Sequence, residues 1–368
     1  MGSYNGWFGA SSSGNGRVLW GTAGFQWLAV SLTSGFVLAE FPDLQATRLS
    51  YRFEEVTSGT VMIPWRDIPS NWGEATVPYG TAMLLVRGGT VLWGGIVVKR
   101  ERTLQGEGLS LTLATVEHYF DSVYVKDHTY SAWGQTWIVN DLVTSTLEGH
   151  RFVLDVETEH SSIKRDRTYV ESSDKTLLSV LQELSNVQDG PEWCTSWRGD
   201  GGRYVPVLTV ADRVGSLTPV TTFDESVMTS FRVLEDYTAG YGANMVVAAG
   251  DTLNETQLRS DVMVADQSYR PVVEHVVRPS SSITLKETLN AHASSALRQL
   301  RDGTNTVDMT LSLMAAPVVY EEWKPGDVVA WTVADEAGRF TGFSNGEARV
   351  VGYDIDFSGV WTITPVLR

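Results

Sequence analysis

Short apolar runs that alternate with polar residues and meet across glycine-bearing turns recur from Phe25 to the end of this chain. A period of two puts one set of side chains on one face of an extended strand, so each run needs neighbouring strands to bury that face. Met83–Arg87 meets Val91–Val98 across Gly88-Gly89. Leu49-Ser50-Tyr51-Arg52-Phe53 is expected to fold back on Thr60–Ile63 through Thr57-Ser58-Gly59, and Gln105–Gly108 leads into the alternating Leu109–Leu113. Residues 25–114 therefore predict an antiparallel barrel or sandwich. Ahead of them, residues 1–24 are rich in Gly and Ser with little periodicity, which reads as a flexible or extended arm.

After Ala114 three amphipathic helices stand out. Thr136–Glu148 places Val139, Leu142, Val143 and Leu147 on one face and stops at Gly149. Asp174–Gln188 carries Leu177, Leu178, Leu181 and Leu184, with Asp174 as the expected N-cap and Gly190-Pro191 as the stop. Thr284–Asp302 opens on the capping box Thr284-Leu285-Lys286-Glu287, is expected to pack through Leu285, Leu289, Ala293, Ala296, Leu297 and Leu300, and ends at Gly303. Strands then return: Val307–Leu313, Val328–Val333 after the turn Pro325-Gly326-Asp327, and Val350–Phe357 joined to Val360–Val366 at Ser358-Gly359. The expected class is β-rich α+β, with β-rich regions at 25–114 and 236–368 around a mixed α/β middle at 115–235. At 368 residues the chain is long enough for more than one core.

The longest apolar runs, such as Met83–Val86 and Ile96–Val98, fall far short of the roughly 18 residues that a membrane-spanning helix needs, so no membrane insertion is expected. Met1–Ala10 shows no basic segment followed by an apolar stretch, which predicts assembly in a cytoplasm. The net charge of -16 is unevenly placed. Residues 1–110 carry 8 basic and 8 acidic side chains, residues 111–190 carry 6 and 13, and residues 191–368 carry 14 and 23. Such a chain is not expected to grip a nucleic-acid backbone, which needs clustered Lys and Arg; the acid excess suits equally a solvated surface that keeps the chain soluble and one that repels passing DNA.

No constellation for chemistry emerges. His118, His128, His150, His160, His275 and His292 are scattered without metal-ligand spacing. The carboxylate pairs Asp354/Asp356 and Glu321/Glu322 could serve acid–base chemistry on sugars only across a cleft, and Asp354 and Asp356, two apart on one strand, are expected on the solvent side. Cys194, the single cysteine, excludes an internal disulfide and is expected to be a buried, inert thiol. Gly199-Asp200-Gly201-Gly202 lacks the Lys-Ser/Thr of a phosphate loop and reads as a hairpin turn. Catalytic, cofactor-binding and metal residues are all expected to be none. The 13 Trp and 13 Tyr leave open core, interface, or a carbohydrate-binding surface.

The run Ser34–Pro42 followed by Leu49–Phe53, then Tyr79–Ala82, Val91–Val97, Leu109–Ala114 and Tyr119-Phe120, resembles minor tail proteins of siphophages that infect actinobacteria. Thr176–Val187, Gly242–Gly250, Pro325–Val329 and Arg349–Ile355 fit the same order, so that the resemblance spans about Ser31 to the C-terminus. It is carried by degenerate strand patterns in sequence. It implies a tail-tip hub similar to the central hub of contractile-phage baseplates: a homotrimeric ring in which two antiparallel β-barrel-like hub domains per chain approximate sixfold symmetry. The implied role is to join the sixfold tail tube to the threefold tip around a channel for DNA. Implied partners are other copies of the chain, a distal tail or tube protein, the tape-measure protein, and other tail-tip or fibre proteins. The implied place is the virion tail tip, and the role is structural, with no enzyme activity. The alternative is a tail-borne protein that binds or degrades the carbohydrate of the host envelope.

Overall fold

The computed structural model describes residues 24–368 apart from residues 239, 254, 255, 266–268, 280–282 and 284. The expected arm at 1–24, Gly24 excepted, lies outside the described residues.

The first sheet comes from β1 (Phe25–Ser31), β2 (Val37–Glu40), β3 (Gln45–Ala46), β5 (Ser58–Pro64), β6 (Thr81–Arg87), β7 (Thr90–Glu101) and β8 (Gly108–Ala114), while β4 (Arg48–Arg52) goes elsewhere. Its seven strands run in the order β2-β1-β6-β7-β8-β5-β3, and α1 (Trp72–Ala75) sits beside it. The outer strands β2 and β3 are joined by only four residues, Phe41–Leu44, of which Phe41 and Leu44 are buried. A link that short spans about 17 Å when extended, so the sheet has to curl until its edges approach.

In chain order, the strands of the first sheet are followed by α2 (Glu117–Phe120), α3 (Gln135–Leu147) and α4 (Leu177–Ser185). They pack with β9 (His128–Gly134) and β11 (Lys164–Tyr169), a two-stranded ribbon, and with β10 (Asp155–Thr158), β12 (Glu192–Asp200) and β13 (Arg203–Ala211), a three-stranded sheet in the order β10-β13-β12. The leucine stripe of α4 is buried as its spacing requires. Its cap differs from expectation. Thr176, not Asp174, is the N-cap, its hydroxyl accepting from the Ser179 amide at 3.2 Å. Asp174 instead takes a left-handed conformation, φ 47°, at the end of the turn Glu171–Ser173, so its carboxylate is out of place for capping.

The second large sheet uses β14 (Pro219–Asp224), β15 (Met228–Asp236), β20 (Thr304–Ser312), β21 (Val328–Thr332), β22 (Asn345–Asp356) and β23 (Thr362–Leu367). Its order is β14-β21-β22-β23-β20-β15. Here too the outer strands are joined by a short link, Glu225–Val227, so both large sheets curl by the same device. Residues 237–303 form an insert at the tip of the β15–β20 pair, where Asp236 and Thr304 lie opposite each other. The insert contains β16 (Met245–Leu253), β17 (Thr256–Arg259), β18 (Met263–Val264), β19 (Glu274–Val277) and α5 (Lys286–Leu300). Thr284 of the expected capping box lies outside the described residues, and the N-cap position is Leu285, with no side-chain hydrogen bond; Leu285, expected on the packing face, precedes the first helical turn and is exposed.

The expected hairpin of Leu49–Phe53 with Thr60–Ile63 does not form. β5 pairs with β8 and β3, whereas β4 crosses to β22 with Leu49 opposite Ile355 and Tyr51 opposite Tyr353. Two local features make the crossing possible. Glu54 turns the chain at φ 58°, and Gly352 lies so close to the Tyr51 carbonyl that a Cβ there would collide with it. The Trp93 indole donates to the Ser50 carbonyl at 2.9 Å, tying β4 back to the first sheet. One continuous apolar core therefore runs through both large sheets, from Trp27 and Trp93 to Trp323, Tyr353 and Ile363.

Candidate functional site

Where β4, β12 and β22 meet, the apolar core gives way to a closed cluster of polar side chains. Glu117 of α2 is fully buried, and its Oε1 accepts from the Thr195 hydroxyl at 2.5 Å. The Thr195 amide donates to the Tyr51 hydroxyl at 3.0 Å, and the Tyr353 hydroxyl donates to the Leu92 carbonyl at 2.5 Å. The Tyr51 and Tyr353 rings stack at 5.7 Å. A cavity of about 10 Å³, the room of one water, lies among Tyr51, Thr115, Thr195, Tyr320 and Tyr353. Burial pushes the Glu117 carboxyl above the ordinary carboxylate range, against hydrogen bonds from Thr195 and Thr115 that favour its charge. Burial raises the Tyr51 and Tyr320 hydroxyls as well. These groups are enclosed by packed side chains, and what they do is hold three parts of the chain in register.

Two ion pairs flank the cluster. Asp354, expected at the surface, is only 8% exposed: β4 covers that part of β22, and its arginines close on the carboxylate. Arg48 reaches Asp354 Oδ2 at 2.7 Å, and Arg52 donates to both oxygens at 2.9 Å. Burial alone would raise the Asp354 carboxyl, but hydrogen bonds from Arg52, Ser50 and Arg48 outweigh it and hold it below the ordinary range. Its neighbour two residues on, Asp356, accepts from the Ser358 amide at 2.8 Å and shapes the β22–β23 turn. On the other side Arg349 forks onto Glu192 and also donates to the Val214 carbonyl at 2.7 Å and the Gly326 carbonyl at 2.9 Å. Burial would raise Glu192 also, and the Arg349 hydrogen bonds again win and lower it.

The remaining residues singled out in the sequence are not brought together. Glu322 accepts from the Val318 amide at 2.7 Å, and Glu321 from the Thr90 hydroxyl, both as loop anchors. Cys194 is buried, and burial pushes its thiol up to about 12, which keeps it protonated and unreactive near neutrality. His118 of α2 contacts the Tyr79 hydroxyl at 2.8 Å, and His128 of β9 contacts the Ser145 hydroxyl at 2.9 Å. Among the described residues no three or more His, Cys, Asp or Glu gather as a metal site, and no helix is long and apolar enough to cross a membrane. Gly199–Gly202 forms the β12–β13 turn, as expected. The sequence reading did not single out Glu117, whose neighbours His118 and Asp121 give the segment the polar look of an exposed turn.

The aromatic residues divide sharply. Trp27, Trp93, Trp193 and Trp323 are fully buried, while among the described residues Trp133 and Trp137 are the exposed indoles, at 46% and 48%. Trp133 ends the β9 ribbon and Trp137 begins α3, so both sit on rigid elements.

No protein-family model matches this chain, and no curated protein matches its sequence. Solved structures do. The tail protein from Neisseria meningitidis MC58 superposes with a TM-score of 0.54 at 14% identity, over 94% of this chain and 97% of that one. The 43 kDa tail protein of prophage MuSo2 from Shewanella oneidensis follows at 0.53 and 11%, over 93% and 97%. The chain shares its backbone fold with these two proteins. A chain of the Francisella PdpA–VgrG complex gives 0.53 at 9% identity, over 93% of this chain but 52% of that one. For the first two the coverage is nearly complete in both directions, so the likeness extends over most of both chains. At such identities the shared property is the path of the backbone, and the buried junction around Glu117 is described for this chain alone.

Proposed function

We propose that this chain is a structural hub protein of a phage tail tip or baseplate, and that it assembles as a homotrimer around a passage for DNA. The observation that carries the reading is the near end-to-end match to two tail proteins, 94% of this chain on 97% of one and 93% on 97% of the other. The two large sheets support it. Each closes its outer strands through a link of a few residues, so the two sheets, one within residues 25–114 and the other beginning at β14 ahead of the boundary at 236 expected from the sequence, read as the paired barrel-like hub domains. Three copies of a chain with two such units give a ring of six similar units. That is the symmetry match between a sixfold tube and a threefold tip. In this reading the partners are a tube or distal tail protein, the tape-measure protein and further tip or fibre proteins, and the siphophage resemblance of the sequence narrows the kind of virion. The acid excess after residue 110 suits surfaces that must not retain DNA.

Light scattering and electron microscopy of the purified protein test this. The expected result is a threefold ring of three times 40.5 kDa. A stable monomer that is absent from tail tips would sink it.

One observation favours a second reading, binding of host-envelope carbohydrate: the exposed pair Trp133 and Trp137, since indole faces stack on sugar rings. Glycan-array binding lost in Trp133→Ala with Trp137→Ala would support it, and no binding by the intact protein would remove it. Asp354 is not the acid for such chemistry, because two arginines already hold it.

A further inference from the structure

The three-stranded sheet of the middle ends in an uncovered edge. Among the described residues β10 pairs with β13 on one side and with no strand on the other. Beside that edge, under the C-terminal end of α3, runs a groove of about 480 Å³ lined by Val143, Leu147, Glu148, Phe152, Leu154 and Val156. Leu147, Phe152, Leu154 and Val156 pack on the core of the middle yet stay half-exposed. Glu148 is exposed at its rim, near the exposed Arg151. On the opposite face of β10 Asp155 and Glu157 are exposed, and one arginine, Arg198, serves both. α3 has no basic residue in its last turn, so the negative end of the helix adds to this field. An unpaired strand edge next to an apolar trough takes an extended segment as an added strand, with alternate side chains in the trough, and here the charge selects a basic one.

Residues 1–23 of the chain have that chemistry. They contain one charged side chain, Arg17, no acidic residue, and the run Arg17-Val18-Leu19-Trp20. As an added strand, this run would direct Val18 and Trp20 to one face and Arg17 to the other. The face lined by Val156 belongs to the groove, and the opposite face carries Asp155 and Glu157. Reach decides whose arm it is. The Val153 amide donates to the Leu32 carbonyl at 2.9 Å, so the groove lies at the far end of β1 from Phe25. From Phe25 to Leu32 is about 23 Å of extended strand, and Val18–Trp20, five to seven residues before Phe25, reach back only about 17–24 Å. Almost nothing is left to cross to the groove within one chain.

We propose that the edge of β10 and the α3 groove receive the Arg17–Trp20 segment from a second copy of this chain, so that each subunit is strapped to its neighbour. The inference rests on the homotrimer reading above.

The test uses the full-length chain with Gly16→Cys and Glu148→Cys, a short bis-maleimide, and light scattering on the same sample. Cys194 is buried, so the introduced thiols are the reactive ones. The expected result is a trimer mass and covalently linked subunits on a denaturing gel. The links should be lost in Val156→Arg, and also in Trp20→Ser, whose site lies outside the described fold. A control pair places the second thiol at Val360, exposed but far along the sequence from the groove. A trimer whose subunits link no more than the control, or link only within one chain, would overturn the strap and leave the hub reading standing. A monomer mass would overturn both.

Discussion

The body of the molecule and its insert are built on different scales. The body's core joins two curled sheets and is filled by large side chains such as Trp27, Trp93, Trp323 and Tyr353. The insert at 237–303 has a separate core of Ala243, Val246, Ala248, Leu289, Ala293 and Ala296. It hangs from the body by two adjacent strand ends, with Gly303 at φ 72° against the Tyr237 ring, where a side chain would collide. Burying mostly alanine removes far less apolar area from water than burying tryptophan does, and stabilisation scales with that area. The body should therefore unfold as one cooperative unit, and the insert should open on its own at lower cost.

The hardest blow to this contrast is Trp323→Ala. Its indole is buried, donates to the Pro317 carbonyl at 2.9 Å and meets Tyr353 edge-on at 6.1 Å. Denaturant unfolding should show a loss of about 3–5 kcal/mol. Both large sheets should shift together; separate transitions for residues 25–114 and 304–368 would show that the shared core does not couple them.

Asp354→Ala comes next, at about 2–3 kcal/mol near neutral pH, below the full cost of breaking a buried pair because Arg48 is 62% exposed. The Asp354 carboxyl is held low in the folded state, so its contribution is present above the unfolded value and is lost as pH falls through the folded one. Stability curves of the native protein and the variant should converge in acid. Curves that stay parallel down to low pH would remove the ion pair from the account.

Leu289→Ala should cost about 2 kcal/mol, confined to the insert. Hydrogen exchange in 286–300 should accelerate while the main melting transition stays put. If the main transition moves equally, insert and body are one unit and the comparison fails.

The smallest effect, about 1 kcal/mol, is expected for Glu117→Gln, which keeps a partner for the Thr195 hydroxyl without a buried charge. Burial raises the Glu117 carboxyl, so its share of stability is full below the unfolded value and is lost as pH rises through the folded one. The glutamine variant should thus gain on the native protein as pH rises; a difference independent of pH would count against ionisation at this site.

How much of this was legible in the sequence depends on range. The β6–β7, β12–β13 and β22–β23 hairpins were readable because turn and partner lie within a few residues, and so were the leucine stripes of α3 and α4. The pairing of β4 with β22 was not. Its strands are about 300 residues apart, and Leu49–Phe53 has the same alternation whether it pairs with β5 or with β22. The misplacement of Asp354 follows from the same error, since only the crossing of β4 covers that face.

By itself the sequence determined the β6–β7, β12–β13 and β22–β23 hairpins with their turns and the apolar stripes of α3 and α4, because periodicity and turn chemistry act over a few residues. The tertiary structure alone decided which strands meet, that one core spans both curled sheets, and that Glu117 and Asp354 are buried. A strand shows its two faces to any partner equally, and only the packed chain chooses among them.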